Sequence, residues 1–120
     1  MKILMVDDND DIRKMLKRKF RKTDWEILEA VNGREGVDMA LEHLPDLVLM
    51  DMHMPVLDGH EAVRLLREKG FPGTIVALTA SVMRSDTDRA IEDGCDHFIA
   101  KPVKRDFINQ IREILEAEAG

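Results

Sequence analysis

Short apolar segments alternate with amphipathic segments along the whole chain. Three of the apolar segments are almost continuous, which is typical of strands covered on both faces of a sheet. Bounded by turn residues and only four to five residues long, the apolar segments predict strands rather than helices. The predicted strands are Lys2–Val6, Glu26–Ala30, Leu47–Met50, Thr74–Leu78 and His97–Ala100.

The segments between and after these strands have apolar residues at helical spacing, three and four residues apart. They predict five helices with apolar stripes at Ile12, Met15, Leu16, Lys19 (by its stem) and Phe20; Val37, Ala40, Leu41 and Leu44; Ala62, Val63, Leu65 and Leu66; Met83, Thr87, Ala90 and Ile91; and Phe107, Ile108, Ile111, Ile114 and Leu115. The regular alternation predicts an α/β fold of (βα)5 type, with right-handed crossovers, a parallel sheet and helices on both faces.

The composition argues against several classes of protein and several kinds of binding partner. The 120 residues, 44% of them hydrophobic, suit one soluble domain over residues 1–120 with no output domain. No apolar run approaches a membrane span, and the acids from Asp7 onward end the first run too early for a signal peptide. A net charge of −6 argues against direct binding of nucleic acid. We therefore expect a cytoplasmic protein without membrane or nucleic-acid partners, and the single cysteine fits a reducing compartment.

Polar residues directly follow four of the predicted strands. They are Asp7 and Asp8, Asp51, Thr79 and Lys101. Parallel strands bring such residues to the carboxyl edge of the sheet, where open α/β sheets bind ligands. Three carboxylates about 5 Å apart repel by about 3 kcal/mol per pair at an effective dielectric constant of about 20. A cation is therefore expected among them, either Lys101 or a divalent ion such as Mg²⁺, which prefers oxygen ligands.

The same residues suit phosphoryl transfer. An aspartate beside a metal ion and a lysine can act as a nucleophile toward phosphorus. The reaction depends mainly on positioning and on neutralising the charge of the transferred group. In this interpretation one of the aspartates at the strand ends is the nucleophile, a metal ion and Lys101 neutralise charge, and the Thr79 hydroxyl donates a hydrogen bond to a phosphoryl oxygen.

Four motifs together resemble the receiver domain of response regulators, the phosphoacceptor module of two-component signalling. They are Val6-Asp7-Asp8-Asn9, the stretch Leu49–Gly59, Ala77-Leu78-Thr79-Ala80 and Phe98-Ile99-Ala100-Lys101-Pro102. Their order and spacing match the family from end to end. The resemblance implies a flavodoxin-like (CheY-like) doubly wound sheet with strand order 2-1-3-4-5.

The resemblance also assigns roles. Asp51 is the phosphoacceptor, and Mg²⁺ is bound by Asp8, Asp51, the backbone carbonyl of His53, and Asp7 directly or through water. Thr79 and Lys101 contact the phosphoryl group, and the Lys101–Pro102 peptide is cis. Phosphorylation then draws Thr79 inward and turns Phe98, which changes the surface of the fourth helix, fifth strand and fifth helix. The implied partners are a sensor histidine kinase or histidine-phosphotransfer protein and a downstream protein target.

Several alternatives stay open at this stage. Asp7 and Asp8 can be interpreted as helix caps. Ile12 and Met15 can be core residues, or they can form, with Pro102, a docking patch for the phosphodonor. The chain can also be a receiver module of a hybrid kinase or phosphorelay, a receiver-like scaffold without phosphorylation, or a Mg²⁺-dependent aspartyl-phosphate phosphohydrolase. The last class needs an acid two residues after the nucleophile, where this chain has His53. We expect the remaining histidines, His43, His60 and His97, at the surface, and His53 and Ser81 at the rim of the site.

Overall fold

A computed structural model describes residues 1–54, 56–80 and 83–119 and contains alternating strands and helices. In chain order these are β1 (Lys2–Val6), α1 (Asp10–Phe20), β2 (Glu26–Ala30), α2 (Gly33–His43), β3 (Leu47–Asp51), α3 (Gly59–Glu68), β4 (Thr74–Thr79), α4 (Arg84–Asp93), β5 (His97–Ala100) and α5 (Phe107–Ala119). The five strands coincide with those predicted, except that β3 and β4 each extend by one residue, to Asp51 and Thr79. Both of these residues are polar members of the predicted site. Within the described ranges, no helix combines the length and the apolar character needed to cross a bilayer.

The strands form one parallel sheet in the order β2-β1-β3-β4-β5. The expected doubly wound topology is therefore confirmed. In the register, Asp51 is paired with Leu78 and Thr79 with Ala100. The ends of β3, β4 and β5 consequently lie side by side, and the residues that follow these strands emerge at one edge.

Two apolar cores cover the two faces of the sheet. Successive residues of β1 alternate between them, so that Ile3 and Met5 face one core and Leu4 and Val6 the other. The first core is closed by Leu16 and Phe20 of α1 and by α5. The second is closed by α2, α3 and Ala90 of α4. Helices on both faces follow from these contacts, as the near-continuous apolar runs predicted.

Polar side chains cap three of the helices at their first turns. Asn9 Oδ1 accepts a hydrogen bond from Ile12 N at 3.0 Å, Asn32 Oδ1 accepts one from Glu35 N at 2.8 Å, and Asp58 Oδ1 accepts one from Glu61 N at 2.9 Å. Because Asn9 caps α1, Asp7 and Asp8 are not needed for that role.

Some residues lie elsewhere than their sequence pattern predicted. Leu44, Met83 and Ile91 belong to predicted apolar stripes but are 59%, 68% and 47% exposed. Leu44 follows α2 in a left-handed conformation that turns it out of the stripe, and Met83 precedes α4. His60 was expected at the surface, and that prediction was wrong. It is buried under α4, with Nδ1 2.5 Å from Asp93 Oδ2.

Candidate functional site

Three carboxylates converge at the carboxyl edge of the sheet. Asp7 directly follows β1 and is 1% exposed, Asp51 ends β3 and is 4% exposed, and Asp8 is exposed to solvent. One oxygen of each lies within 4.8 Å of the others. This donor set consists of oxygen atoms only and opens to solvent on the Asp8 side. The three side chains could together hold a metal ion of the kind that prefers oxygen ligands.

Lys101 provides a positive charge inside this cluster. Its Nζ lies 3.1 Å from Asp51 Oδ1 and 3.3 Å from Asp7 Oδ2. The backbone N–H of Lys101 donates to Thr79 O at 2.8 Å, which ties the residue to the end of β4. The Lys101–Pro102 peptide is cis, in agreement with the expectation from the motif. The ammonium contacts two of the three acids and so offsets only part of their repulsion.

Backbone donors fix the orientation of the two buried carboxylates. His53 N donates to Asp51 Oδ1 at 3.1 Å, and Asn9 N donates to Asp7 Oδ1 at 3.0 Å. Both the His53 and the Lys101 contacts of Asp51 therefore go to Oδ1. Its second oxygen, Oδ2, has no hydrogen-bond partner in the described part of the chain.

The environment changes the protonation equilibrium of Asp51. Burial raises the pKa of this carboxyl above its ordinary value, and the negative charge of Asp7 raises it further. The His53 N–H and the Lys101 ammonium act against this shift, and the net result is a raised pKa. The surrounding hydrogen-bond donors and Lys101 thus offset only part of the pKa rise that burial and the second acid cause.

The tight turn below the site requires Gly59. A Cβ at this position would overlap the carbonyl oxygen of Asp51 and come within 2.5 Å of Met52 Cα. Without a side chain, α3 can begin directly against the end of β3, with Asp58 as its cap. The Asp58-Gly59 pair therefore shapes the turn into α3.

Thr79 and Phe98 border a common cavity next to the cluster. Thr79 is 7% exposed at the end of β4, whereas Phe98 on β5 is 43% exposed. Both line a cavity of about 440 Å³ whose walls also include His53, His60 and Thr87. Thr79 and the Phe98 side chain are thus both next to the same open space. Ser81, the other residue expected at the rim, lies outside the described residues.

Ile12, Met15 and Pro102 lie together in an apolar groove. The groove has a volume of about 310 Å³ and lies between α1 and the loop that follows β5, with Leu78, Lys101 and Val103 as further walls. Ile12 and Met15 are half-buried and pack at the margin of the core beneath α1. Ile12 and Met15 therefore belong partly to the core and are partly accessible to solvent, and they form one surface with Pro102.

One residue that supports the site, Arg13, was not predicted from the sequence. Arg13 is 8% exposed and donates from its guanidinium to the backbone oxygen of Asp7 at 2.6 Å. It also pairs with Asp10 and lies 3.5 Å from Glu29 of β2. Arg13 is charged and lies off the apolar stripe, so the sequence pattern did not predict its burial. The sequence feature that could have indicated a structural role is its position three residues after Asp10, where an ion pair can form on a helix.

Comparisons with known proteins agree with this geometry. A family model described as the response regulator receiver domain matches residues 3–113. The polar-differentiation response regulator DivK of Brucella anthropi is 32% identical over 118 residues, which cover 94% of both chains. Hybrid signal transduction histidine kinase A of Dictyostelium discoideum is 39% identical over 108 residues, covering 85% of this chain but 5% of the kinase.

Solved structures give the same result. The receiver domain of Saccharomyces cerevisiae Ssk1, crystallised with the histidine phosphotransfer protein Ypd1, has a TM-score of 0.86 at 30% identity and covers 96% of this chain and 86% of that chain. The Vibrio cholerae chemotaxis protein CheY4 also has a TM-score of 0.86, at 25% identity, and covers 95% of this chain and 97% of that chain. With its sheet order, its carboxylate cluster and these relatives, the chain belongs to the response regulator receiver domain family of two-component signalling, whose members are phosphoacceptors.

Proposed function

We propose that Asp51 is the phosphoacceptor and that it takes a phosphoryl group from a phosphohistidine of a histidine kinase or histidine-phosphotransfer protein. The observation that carries the proposal is the position of Asp51, buried between Lys101 at 3.1 Å and the carboxylates of Asp7 and Asp8 within 4.8 Å. Asp51 Oδ2 forms the new bond to phosphorus. The bond between phosphorus and the histidine nitrogen breaks, and the imidazole leaves with the electron pair.

Asp7, Asp8, Asp51 and the backbone carbonyl of His53 would hold Mg²⁺, which when bound neutralises charge on the transferred phosphoryl oxygens. Their all-oxygen donor set and the solvent-exposed Asp8 fit an ion that keeps several waters. Lys101 holds the Asp51 carboxylate through Oδ1 and stabilises negative charge on the incoming group. The chain's own contribution is thus to position one carboxylate oxygen and to surround it with positive charge.

The phosphorylated state differs from the free state by added negative charge and acceptor oxygens beside Thr79. We propose that the Thr79 hydroxyl donates to a phosphoryl oxygen, and that Phe98 turns into the cavity of about 440 Å³ that both residues border. This shift changes the surface of α4, β5 and α5 for a downstream protein target. A target that prefers the phosphorylated state favours phosphorylation in return.

The phosphodonor would dock on the apolar groove formed by Ile12, Met15 and Pro102. Lys101 is itself part of this groove, so that a donor seated there stands next to the phosphoacceptor. The match with DivK of Brucella anthropi covers 94% of that protein. We propose that residues 1–120 likewise act as one receiver unit, and that this unit lies in the cytoplasm together with the phosphodonor.

The direct test is phosphorylation by acetyl phosphate in the presence of Mg²⁺. Intact mass spectrometry should find the added mass of one phosphoryl group on the wild-type chain and none on Asp51→Asn. Asp46→Asn is the matched control, because Asp46 lies just before β3 at the opposite end of the sheet, where its carboxylate accepts from Lys2 N at 2.7 Å. Labelling of Asp51→Asn equal to that of the wild type, or no labelling of the wild type, would overturn the proposal.

A further inference from the structure

Five basic side chains border a second groove, at the far end of α1 from the phosphoacceptor. Arg18 and Lys19 come from the last turn of α1, and Lys22 follows this helix. Arg105 lies just before α5, and Arg112 lies within it. The groove has a volume of about 510 Å³, and Thr23, Ile108 and Asn109 complete its walls. No carboxylate lines it, although the whole chain has a net charge of −6.

The basic side chains of this groove are not paired with acids. Within the described residues, none of the five lies within salt-bridge distance of a carboxylate. Arg112 instead contacts Asn109 Oδ1 at 3.4 Å, and its guanidinium lies 5.7 Å from the centre of the Trp25 ring. On the same helix, Lys17 is 3.0 Å from Glu29. The charge in the groove is therefore left available for an external anion.

Helix dipoles do not explain why these residues converge. Basic residues at the end of α1 are favoured by its negative C-terminal pole. Arg105, however, lies just before α5, where the helix dipole favours anions. The positive charge of Arg105 faces the positive charges at the end of α1, and the dipole of α5 does not stabilise it. This arrangement points to a ligand that contacts both sides of the groove.

Aromatic side chains join the two elements that border the groove. Phe20 of α1 and Phe107 of α5 pack edge to face, with ring centres 5.6 Å apart. Phe20 also packs against Trp25 at 5.9 Å, and the Thr23 hydroxyl closes the end of α1 by donating to Phe20 O at 2.6 Å. The elements next to which the basic side chains lie are thus packed against each other through the core.

The basic groove continues the apolar docking groove along the same face of α1. Ile12, Met15 and Lys19 follow one another at helical spacings of three and four residues, and the rise from Ile12 to Lys19 is about 10 Å. Ile108 gives the basic groove an apolar floor. The apolar groove next to Lys101 and the basic groove, which together we call the seam, therefore follow one another along this face of α1.

We propose that this basic groove receives an acidic segment of the protein that docks at Ile12, Met15 and Pro102, an inference that rests on the proposed phosphodonor docking. A protein segment with apolar residues followed by acidic ones about 10 Å further along matches both parts of the seam. A long nucleic acid matches it less well, because the rest of the surface is negatively charged and repels a polyanion. The groove would add specificity for the donor and speed its association.

The first test measures binding of a fluorescein-labelled oligoglutamate of about ten residues by fluorescence anisotropy at low salt, where surface charges are least screened. The double variant Arg18→Glu with Arg105→Glu should bind about tenfold more weakly than the wild type. Its matched control, Lys14→Glu with Lys69→Glu, has the same net charge but alters exposed lysines outside the groove. It should stay within about twofold of the wild type.

Three results would overturn the proposal. Equal weakening by both double variants would mean that only the total charge matters, and unchanged binding in Arg18→Glu/Arg105→Glu would mean that the groove is not used. Tighter binding of a labelled oligothymidylate of equal charge would assign the groove to nucleic acid. The milder pair Arg18→Gln with Arg105→Gln should give an intermediate affinity, which keeps the test valid if the charge reversal impairs folding.

The second test uses the phosphohistidine protein of the source organism that phosphorylates the wild-type chain fastest. Its phosphotransfer to Arg18→Glu/Arg105→Glu should be about tenfold slower at low salt, with a smaller difference at high salt. An equal rate for variant and wild type would overturn the basic groove as part of the docking surface. Failure of acetyl phosphate to label the wild type at Asp51 would instead overturn the proposed function.

Discussion

Asp51 is held in an environment that disfavours its own charge. Burial and the neighbouring Asp7 raise its pKa, in spite of the His53 N–H and Lys101. Replacement by asparagine keeps the shape and the acceptor oxygen but removes the charge. In metal-free buffer at neutral pH we therefore expect Asp51→Asn to increase the free energy of unfolding, by on the order of 1 kcal/mol, as measured by urea denaturation.

The pH dependence of this gain has a definite sign. The folded-state pKa of Asp51 is raised above the unfolded value of about 3.9, so the folded protein binds the proton more tightly. Wild-type stability therefore falls as pH rises through the interval between the two values. The advantage of Asp51→Asn should be complete above that interval and disappear below about pH 4. A variant less stable than the wild type at neutral pH would mean that the Asp51–Lys101 pair stabilises the fold.

Leu44 has an unfavourable backbone conformation without compensating burial. Its φ is 48° and its ψ 59°, and the residue is 59% exposed after the end of α2. Glycine adopts this left-handed conformation without steric cost, and few apolar contacts would be lost. We expect Leu44→Gly to stabilise the protein by about 0.5–1 kcal/mol, after allowance for the greater freedom of glycine in the unfolded chain.

A matched control for Leu44→Gly exists at the end of α3. Lys69 is also an exposed C-terminal cap residue, but its φ is −83°. Glycine has no conformational advantage there, and Lys69→Gly should lower the melting temperature because it only adds freedom to the unfolded state. If both substitutions changed the melting temperature in the same direction, backbone conformation would not be the cause.

At the scale of elements, one side chain joins α3 to the segments that enter β4 and β5. The Arg67 guanidinium donates to the backbone oxygens of Gly94, Phe71 and Gly73 at 2.8–2.9 Å and to Asp96 Oδ2 at 2.7 Å. Lysine keeps the charge but lacks the planar set of donors that reaches these acceptors together.

Arg67→Lys should therefore leave backbone acceptors without partners and destabilise the protein by about 2 kcal/mol in thermal or urea unfolding. The control is Arg64→Lys, one helical turn earlier, whose guanidinium is half exposed and, among the described residues, donates to Asp93 alone, at 2.9 Å. We expect that change to cost much less than Arg67→Lys, because exposed ion pairs contribute little to stability. Comparable losses in both variants would show that the loss is not due to the four-acceptor arrangement of Arg67.

The sequence predicted the elements well where a strand is covered on both faces. The runs at β1, β3 and β4 are almost continuously apolar and predicted strands, although Asp51 and Thr79, the polar last residues of β3 and β4, were placed outside the strands. The pattern was least reliable at α4, where only Thr87 and Ala90 are buried and Ile91 faces solvent. A helix that contributes so few residues to the core has a weak periodic signal.

At the scale of the whole molecule, periodicity predicted a parallel sheet but not the order of its strands. That order came from the motif resemblance, and it brings Asp7, Asp51 and Lys101 together. The contact of His60 with Asp93 was not predictable in the same way, because 33 residues separate the two and neither belongs to a motif. Long-range polar pairs of this kind depend on helix packing, which one sequence does not specify.

Because three carboxylates converge at one edge of the sheet, we expect the stability of the entire domain to depend on divalent cations. An ion that binds only the folded state stabilises it by RT ln(1 + [L]/Kd), or about 1.4 kcal/mol at a concentration tenfold above Kd. For a chain of this length, that corresponds to a rise in melting temperature of about 5 °C. We expect Mg²⁺ to produce such a rise in the wild type and none in Asp8→Ala, measured by calorimetry. Asp24→Ala removes another exposed acid, outside the cluster, and should retain the full rise.

Because Asp8 repels Asp7 and Asp51 and does not cap α1, Asp8→Ala without metal should be neutral or stabilising. A large loss of stability there would mean that Asp8 is a structural residue.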